Sequence, residues 1–137
     1  MSEQGKPLPQ ITPLSKPFYD AARKHKFLIQ RCKDCSEYVF YPKHFCPYCL
    51  SENLDWVESS GKGKIYSYTV CRSNVPPEFA PSLPYVVAIV ELEEGVWTLT
   101  NIVDCNPDDV KCDQLVEVTF EDVTDDIAIP KFRPRAA

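Results

Sequence analysis

The sequence has little of what enzymes usually need. In 137 residues there are two histidines, four glycines and one methionine. His25 and His44 both precede the segments expected to form most of the strands, so no Ser/His/Asp or Cys/His set is recognisable. There is no paired-carboxylate motif and no glycine-rich phosphate loop. The GKGK at 61–64 reads as a strand entry with two solvated lysines. No apolar run approaches the ~18 residues that a membrane-crossing helix needs, and MSEQGKPLPQ lacks the apolar core of a secretory signal. A cytoplasmic, reducing location is therefore the default expectation, and structural disulfides are rare there. The odd total of seven cysteines also fits a disulfide framework poorly.

The charge is negative overall, at −5, and unevenly spread. Residues 1–72 carry 11 Lys/Arg and 7 Asp/Glu, whereas residues 73–137 carry 4 and 13. Such a balance gives no general attraction to nucleic acid or anionic lipid. It allows two modules with different surroundings.

Four prolines among residues 1–17 predict an extended arm over 1–16. SKPFYDAARKHK predicts a short helix with Ser15 as N-cap and Pro17 in its first turn, presenting Phe18, Ala21 and Ala22 on one face. FLIQR (27–31) and NLDWVES (53–59) have strand character. From residue 61 onward strands are expected at 61–72, 85–92, 96–104, 115–123 and 127–132, the last an edge because of Pro130. SNVPPEFAPSLP (73–84), with four prolines, is a loop. Gly61 and Gly63 permit a sharp turn or bulge. Five short strands in roughly seventy residues suit a small barrel such as the OB-fold, with a small sandwich as the competitor.

The concentrated signal is CKDCSEYVFYPKHFCPYC (32–49). Its spacing, C-x2-C-x10-C-x2-C, lets two tight turns face each other and offer four thiolates to one ion. Cys32, Cys35, Cys46 and Cys49 are the expected ligands of one structural Zn2+, with iron in a rubredoxin-like site as the alternative. Four sulfurs leave no open coordination position, so this metal is structural rather than catalytic. His44 is not needed as a ligand, and His25 reads as a solvated residue. Cys71, Cys105 and Cys112 read as small apolar residues in or beside strands.

The order of features is a helix with aromatics, four cysteines, SENLDWVESSGKGKIYSYTV, a proline loop, PYVVAIVELEEGVWTLTNIV, VEVTFED and IPKFRP. Over about residues 17–134 this resembles the family of small proteins with an N-terminal rubredoxin-like zinc ribbon and a C-terminal OB-fold that accompany acyl-CoA enzymes. The resemblance implies a mostly β chain: an arm (1–16), an N-terminal helix with the zinc ribbon (17–58), then a five-stranded OB-fold barrel with a C-terminal tail (59–137). It carries the metal ligands over to the same four cysteines. It also implies a non-catalytic, hetero-oligomeric partner of a thiolase-superfamily enzyme, acting in degradation of an aromatic, steroid or branched acyl-CoA. Two departures stand out. Ser36 and Leu50 follow the C-x2-C pairs where glycine is common, and Asp113 stands near a turn where glycine is also common, which predicts left-handed backbone strain at the first two.

On this reading Lys62, Lys64 and Arg72 are candidates for contact with the phosphates of CoA. Phe79, Leu83 and Tyr85, on the stiff proline loop, are candidates for the partner interface. The alternative for the loop is that it folds back over its own barrel. The alternative function is a single-stranded nucleic-acid module, for which Tyr66, Tyr68 and Phe79 supply stacking aromatics; the acidic barrel half disfavours it.

Overall fold

The computed structural model describes residues 8–135. The arm expected over 1–16 falls partly outside these residues; of its described part, 8–12 has no regular structure, 13–15 form a turn and Lys16 already opens the helix. One helix and eight strands follow: α1 (Lys16–Arg23), β1 (Leu28–Cys32), β2 (Tyr38–Val39), β3 (Leu54–Glu58), β4 (Lys62–Cys71), β5 (Tyr85–Leu92), β6 (Trp97–Ile102), β7 (Leu115–Asp122) and β8 (Ala128–Pro134). β2, β1 and β3 form a small antiparallel sheet, and β4-β5-β6-β8-β7 close a barrel. The five expected barrel strands are all present. The expected loop 73–84 contains a 3-10 turn at Pro77–Ser82, because proline fixes φ at a value compatible with tight helical turns.

Ser15 precedes α1, but its side chain does not cap the helix. Its Oγ accepts instead from the Thr12 N–H at 2.9 Å, so the hydroxyl closes the preceding turn. Phe18 and Ala22 on α1 are buried as the 3.6-residue period requires. They do not build a core of their own. Phe18, Phe27 and Ile29 join Ile65, Val86, Val90, Val116 and Phe132 in one cluster. α1 and β1 therefore share the barrel's core. The Phe27 ring meets Phe132 edge-on at 6.0 Å and Phe18 at 5.7 Å, a favoured aromatic geometry.

β5 alternates half-buried and buried residues along its whole length, the period of a strand with one face inward. β4 carries a bulge between Ile65, opposite Val90, and Ser67, opposite Ile89. Tyr66 is the extra residue, so the bulge lies beyond the two glycines that the sequence suggested for it. Gly61 takes φ +73°, and a Cβ there would sit 2.4 Å from Val118 Cγ1. Gly63 has no such φ, but a Cβ would lie 2.4 Å from the Glu91 carbonyl oxygen. That glycine is required for the close approach of β4 to β5. β8 pairs with β7 along its length and meets β6 only at Ile102↔Phe132. Pro130 thus occupies the poorly paired side that a missing N–H tolerates.

The segment joining ribbon to barrel is tied down. Ser59 Oγ donates to Glu94 Oε1 at 2.9 Å, and the Ser60 N–H donates to Glu94 Oε2 at 3.0 Å. Gly63→Ala is expected to lower unfolding stability by about 2–3 kcal/mol through overpacking against backbone. Gly95→Ala, at φ +93° with nothing within 4 Å of a new Cβ, should cost only about 1 kcal/mol of conformational strain. Denaturant melts of the two variants check the order; equal losses would show that close packing is not what Gly63 serves.

Candidate metal centre and exposed faces

The two knuckles are near copies of each other. The Ser36 N–H donates to the Cys32 carbonyl at 2.9 Å, and the Leu50 N–H to the Cys46 carbonyl at 2.8 Å. The Cys35 N–H lies 3.5 Å from Cys32 Sγ, and the Tyr48 N–H 3.4 Å from Cys46 Sγ. These turns aim four sulfurs at one point: all Sγ atoms lie within 4.8 Å of one another. Cys32–Cys49 and Cys35–Cys46 are each separated by 3.5 Å, too far for a disulfide. A Zn–S bond of about 2.3 Å puts tetrahedral sulfurs about 3.8 Å apart, so the donor set fits a soft four-coordinate ion. The Cys35 N–H, with that of Asp34, holds the Cys32 thiol down to about 7, which favours the thiolate there, while desolvation and the neighbouring thiols push Cys35 and Cys49 up against the pull of their backbone N–H bonds. His44 is exposed and outside this group.

Around the sulfurs there is almost no core. Cys32, Val39 and Cys46 form a separate buried cluster with Cys35 and Leu54 against it. Two polar ties supplement it. Asp34 in the first knuckle accepts from Ser51 Oγ and from Asn53 Nδ2 beside the second, and these bonds hold its carboxyl below the usual range. Gln30, 4% exposed, donates to the Lys43 carbonyl at 3.0 Å and accepts from the Lys43 N–H at 2.7 Å. Its amide copies a strand's pairing and fastens the loop before Cys46 to β1. A lone Gln in an apolar strand was the only sequence signal for this tie.

Ser36 and Leu50 have φ of +66° and +65°, and Asp113 +66°. The strain expected after each C-x2-C pair is present. At Leu50 it coincides with 75% exposure, beside exposed Phe45 and Tyr48. The first knuckle is polar at the matching positions, so the apolar tip is not a requirement of the knuckle fold.

The remaining candidates are placed as follows. Lys62 and Lys64 open β4 and Arg72 follows its far end, about 25–30 Å away at strand rise. The three do not converge, and Arg72 pairs with Asp108. Phe79, Leu83 and Tyr85 are all half-buried, and the Phe79 and Tyr85 rings are 6.3 Å apart. Cys112 is exposed and Cys71 and Cys105 are half-buried, so the three are not the buried apolar residues expected. His25 is exposed, as expected of a solvated residue, yet it also makes contacts across the molecule. Its ring stacks on Phe120 at 5.2 Å, and its Nε2 lies 2.9 Å from Asp122 Oδ1, linking the ribbon half to β7.

One exposed face was not anticipated from sequence. Tyr66 and Trp97, 51% and 46% exposed, stack at 4.4 Å on the outer wall of the barrel. Leu99, 60% exposed, lies two residues along β6. Trp97 and Leu99 fall at outward positions of a strand, which alternation could have revealed; the outward turn of Tyr66 depends on the bulge.

Fold and site together define a four-thiol ribbon joined to an OB-type barrel. Residues 20–55 match the family described as ChsH2, rubredoxin-like zinc ribbon domain, and residues 56–121 the family described as ChsH2, C-terminal OB-fold domain. The chain belongs to this zinc-ribbon and OB-fold family. It is 42% identical over 105 residues to a "DUF35 domain-containing scaffold protein" of Methanothermobacter thermautotrophicus, covering 76% of this chain and 78% of that protein. It is 30% identical over 95 residues to "Benzoylsuccinyl-CoA thiolase subunit BbsA" of Thauera aromatica, covering 69% and 63%. A "Probable enoyl-CoA hydratase alpha subunit" of Thermomonospora curvata is 36% identical over 129 residues; the match covers 94% of this chain but 40% of that longer protein. Among solved structures, one described as "Ltp2-ChsH2(DUF35) aldolase" superposes with a TM-score of 0.83 at 35% identity, covering 93% of this chain and 98% of that one.

Cys46→Ser is expected to abolish metal retention and disorder the ribbon, since such sites contribute roughly 10–16 kcal/mol of apparent folding free energy. Because Phe27 and Ile29 belong to the shared core, the barrel should also melt at lower temperature in this variant. Metal analysis with two-probe melting checks both. Leu50→Gly, which relieves αL strain, should stabilise the isolated chain by about 1 kcal/mol; destabilisation would mean that the Leu50 side chain packs internally.

Proposed function

We propose that the chain is a non-catalytic accessory subunit of a thiolase-type acyl-CoA enzyme complex, with one structural Zn2+ held by Cys32, Cys35, Cys46 and Cys49. The observation that supports this reading is the match over 98% of a chain in the structure described as "Ltp2-ChsH2(DUF35) aldolase". A relative named as a thiolase subunit and another named as a scaffold protein support it. Its acyl substrate belongs to the aromatic, steroid or branched acyl-CoA class suggested by the family resemblance.

The surfaces fit such a role. The Tyr66–Trp97 stack with Leu99 offers rigid aromatic anchors on a barrel wall, the composition of interface centres. Phe79 and Leu83 of the proline loop extend the same kind of surface at another part of the barrel. Stacked aromatics on an OB-type barrel also suit single-stranded nucleic acid, but Glu91 flanks Trp97 on the neighbouring strand, and thirteen acids in residues 73–137 oppose phosphate binding.

The test is co-expression with the thiolase-type subunits of the source cell. Trp97→Ala with Leu99→Ala should weaken co-purification by at least tenfold while leaving the melting temperature of the lone chain almost unchanged. The pair Phe79→Ala and Leu83→Ala, both half-buried, should weaken co-purification and cost the lone chain no more than about 1 kcal/mol; a loss of several kcal/mol would mark the loop as core. A chain that stays monomeric beside every such subunit, and retains single-stranded RNA instead, overturns the proposal.

A further inference from the structure

The second knuckle carries apolar side chains where the first carries polar ones. Phe45, Tyr48 and Leu50 are 53%, 67% and 75% exposed; Arg31, Asp34 and Ser36 stand at the matching positions of the first knuckle. Both turns close with the same bond to a cysteine carbonyl, and both hold their last residue at a left-handed φ, +66° at Ser36 and +65° at Leu50. Ser36 shows that this position accepts a small polar side chain. A leucine there is strained, and at its exposure it recovers nothing by burial. Strain kept without a return in folding points to function.

The tip is fixed to the barrel rather than hung from it. The Lys43 N–H and carbonyl, just before Phe45, are both bonded to the Gln30 side chain at 2.7 and 3.0 Å. Gln30 lies on β1, whose Ile29 belongs to the barrel's core. Tyr41 Oη accepts the Leu99 N–H at 2.9 Å. Tyr41 is itself 48% exposed, so it continues the Tyr66–Trp97–Leu99 wall toward the loop before Cys46.

Neither apolar patch is large enough alone. With about half of each ring exposed and ~150–250 Å2 per buried aromatic side chain, each three-residue patch offers about 300 Å2. A standard stable interface takes ~800 Å2 from each partner. The two patches with Tyr41 come close to that area. Because they sit on one rigid body, a partner that holds the first gains the second at little further entropic cost. Two knuckle tips placed face to face stay far below the same area, so a second copy of this chain fits the tip poorly. Charge narrows the complement further. Lys43, exposed beside the tip, and Glu91, opposite Trp97, form no ion pair among the described residues.

We propose that the second knuckle is a second anchor for the thiolase-type subunit. Phe45, Tyr48 and Leu50 enter an apolar socket with a carboxylate near Lys43, while the Tyr66–Trp97–Leu99 wall meets an apolar surface with a cation near Glu91. This inference rests on the accessory-subunit reading above and gives the ribbon a part in recognition besides its part in folding.

The test pairs Leu50→Gly with Ser36→Gly in the full chain, each co-expressed with the thiolase-type subunits of the source cell. Both variants relieve the same backbone strain, so both should raise the melting temperature of the lone chain and retain the parent's metal content. Only Leu50→Gly removes an apolar side chain from the tip. It should weaken the complex about tenfold, as losing one interface leucine does, whereas Ser36→Gly should leave the affinity unchanged. Tyr48→Ser repeats the test if Leu50→Gly loses its metal. Deuterium exchange of residues 45–51 should slow in the complex, and Lys43→Glu should weaken it more at low salt than at high salt. The inference is overturned if the two glycine variants affect the complex alike, if exchange at 45–51 is unchanged on binding, or if the lone chain self-associates through a contact that Leu50→Gly removes. Loss of the complex in Trp97→Ala with Leu99→Ala but not in Leu50→Gly overturns the knuckle anchor and keeps the accessory-subunit reading. A parent chain that binds no thiolase-type subunit overturns that reading and the anchor with it.

Discussion

Much of the structure depends on Phe27. It leaves α1's turn at the start of the ribbon and places its ring between Phe18, Phe40 and Phe132. Fully burying such a side chain is worth about 1.5–3 kcal/mol, and here the buried area belongs to both halves of the molecule. The ribbon alone has only Cys32, Val39 and Cys46 inside, too little to order a segment of its length. The barrel alone would have an open end under Phe132. The aromatic junction joins two insufficient cores into one. Tyr41 reinforces it by accepting the Leu99 N–H through its hydroxyl at 2.9 Å, which occupies part of the β6 edge that β8 leaves unpaired.

The junction also explains which parts of the fold were legible. The five barrel strands announced themselves through runs of β-branched and aromatic residues bounded by turn residues, with period-two alternation clear at 115–122. The cysteine ribbon did so because its spacing has few other uses. The sharing of a core did not, since period tells which face of α1 or β1 is buried but not against what. β2, two residues long, carries no period at all. The bulge at Tyr66 was misplaced because glycine marks permissive backbone, whereas this bulge is set by the register of β4 on β5 and needs no special φ. At the site the ligand cysteines and the strained Ser36 and Leu50 were readable. The tie of Gln30 to Lys43 and the stack of His25 on Phe120 were not, because each joins residues that sequence leaves far apart or assigns to solvent.

Strain and exposure at the second knuckle bear on function. An αL leucine costs about 1–2 kcal/mol relative to glycine, and at 75% exposure Leu50 recovers almost none of it by burial. The polar first knuckle shows that the turn itself does not ask for Phe45, Tyr48 and Leu50. Features that lower a chain's own stability without serving its fold are typical of functional positions. They agree with a molecule whose apolar surfaces are completed by something else.

Charge completes the contrast between the two halves. In the ribbon half, basic residues lie beside the sulfur cage and on α1, where Lys16 and Arg23 share Asp20. In the barrel half, most cations are already committed: Lys131 to Glu121, Arg133 to Glu117, and Arg135 near Glu93. The acids exceed them, so the barrel's field repels free anions in general. An anionic ligand therefore needs a local cation and an apolar hold to overcome that field.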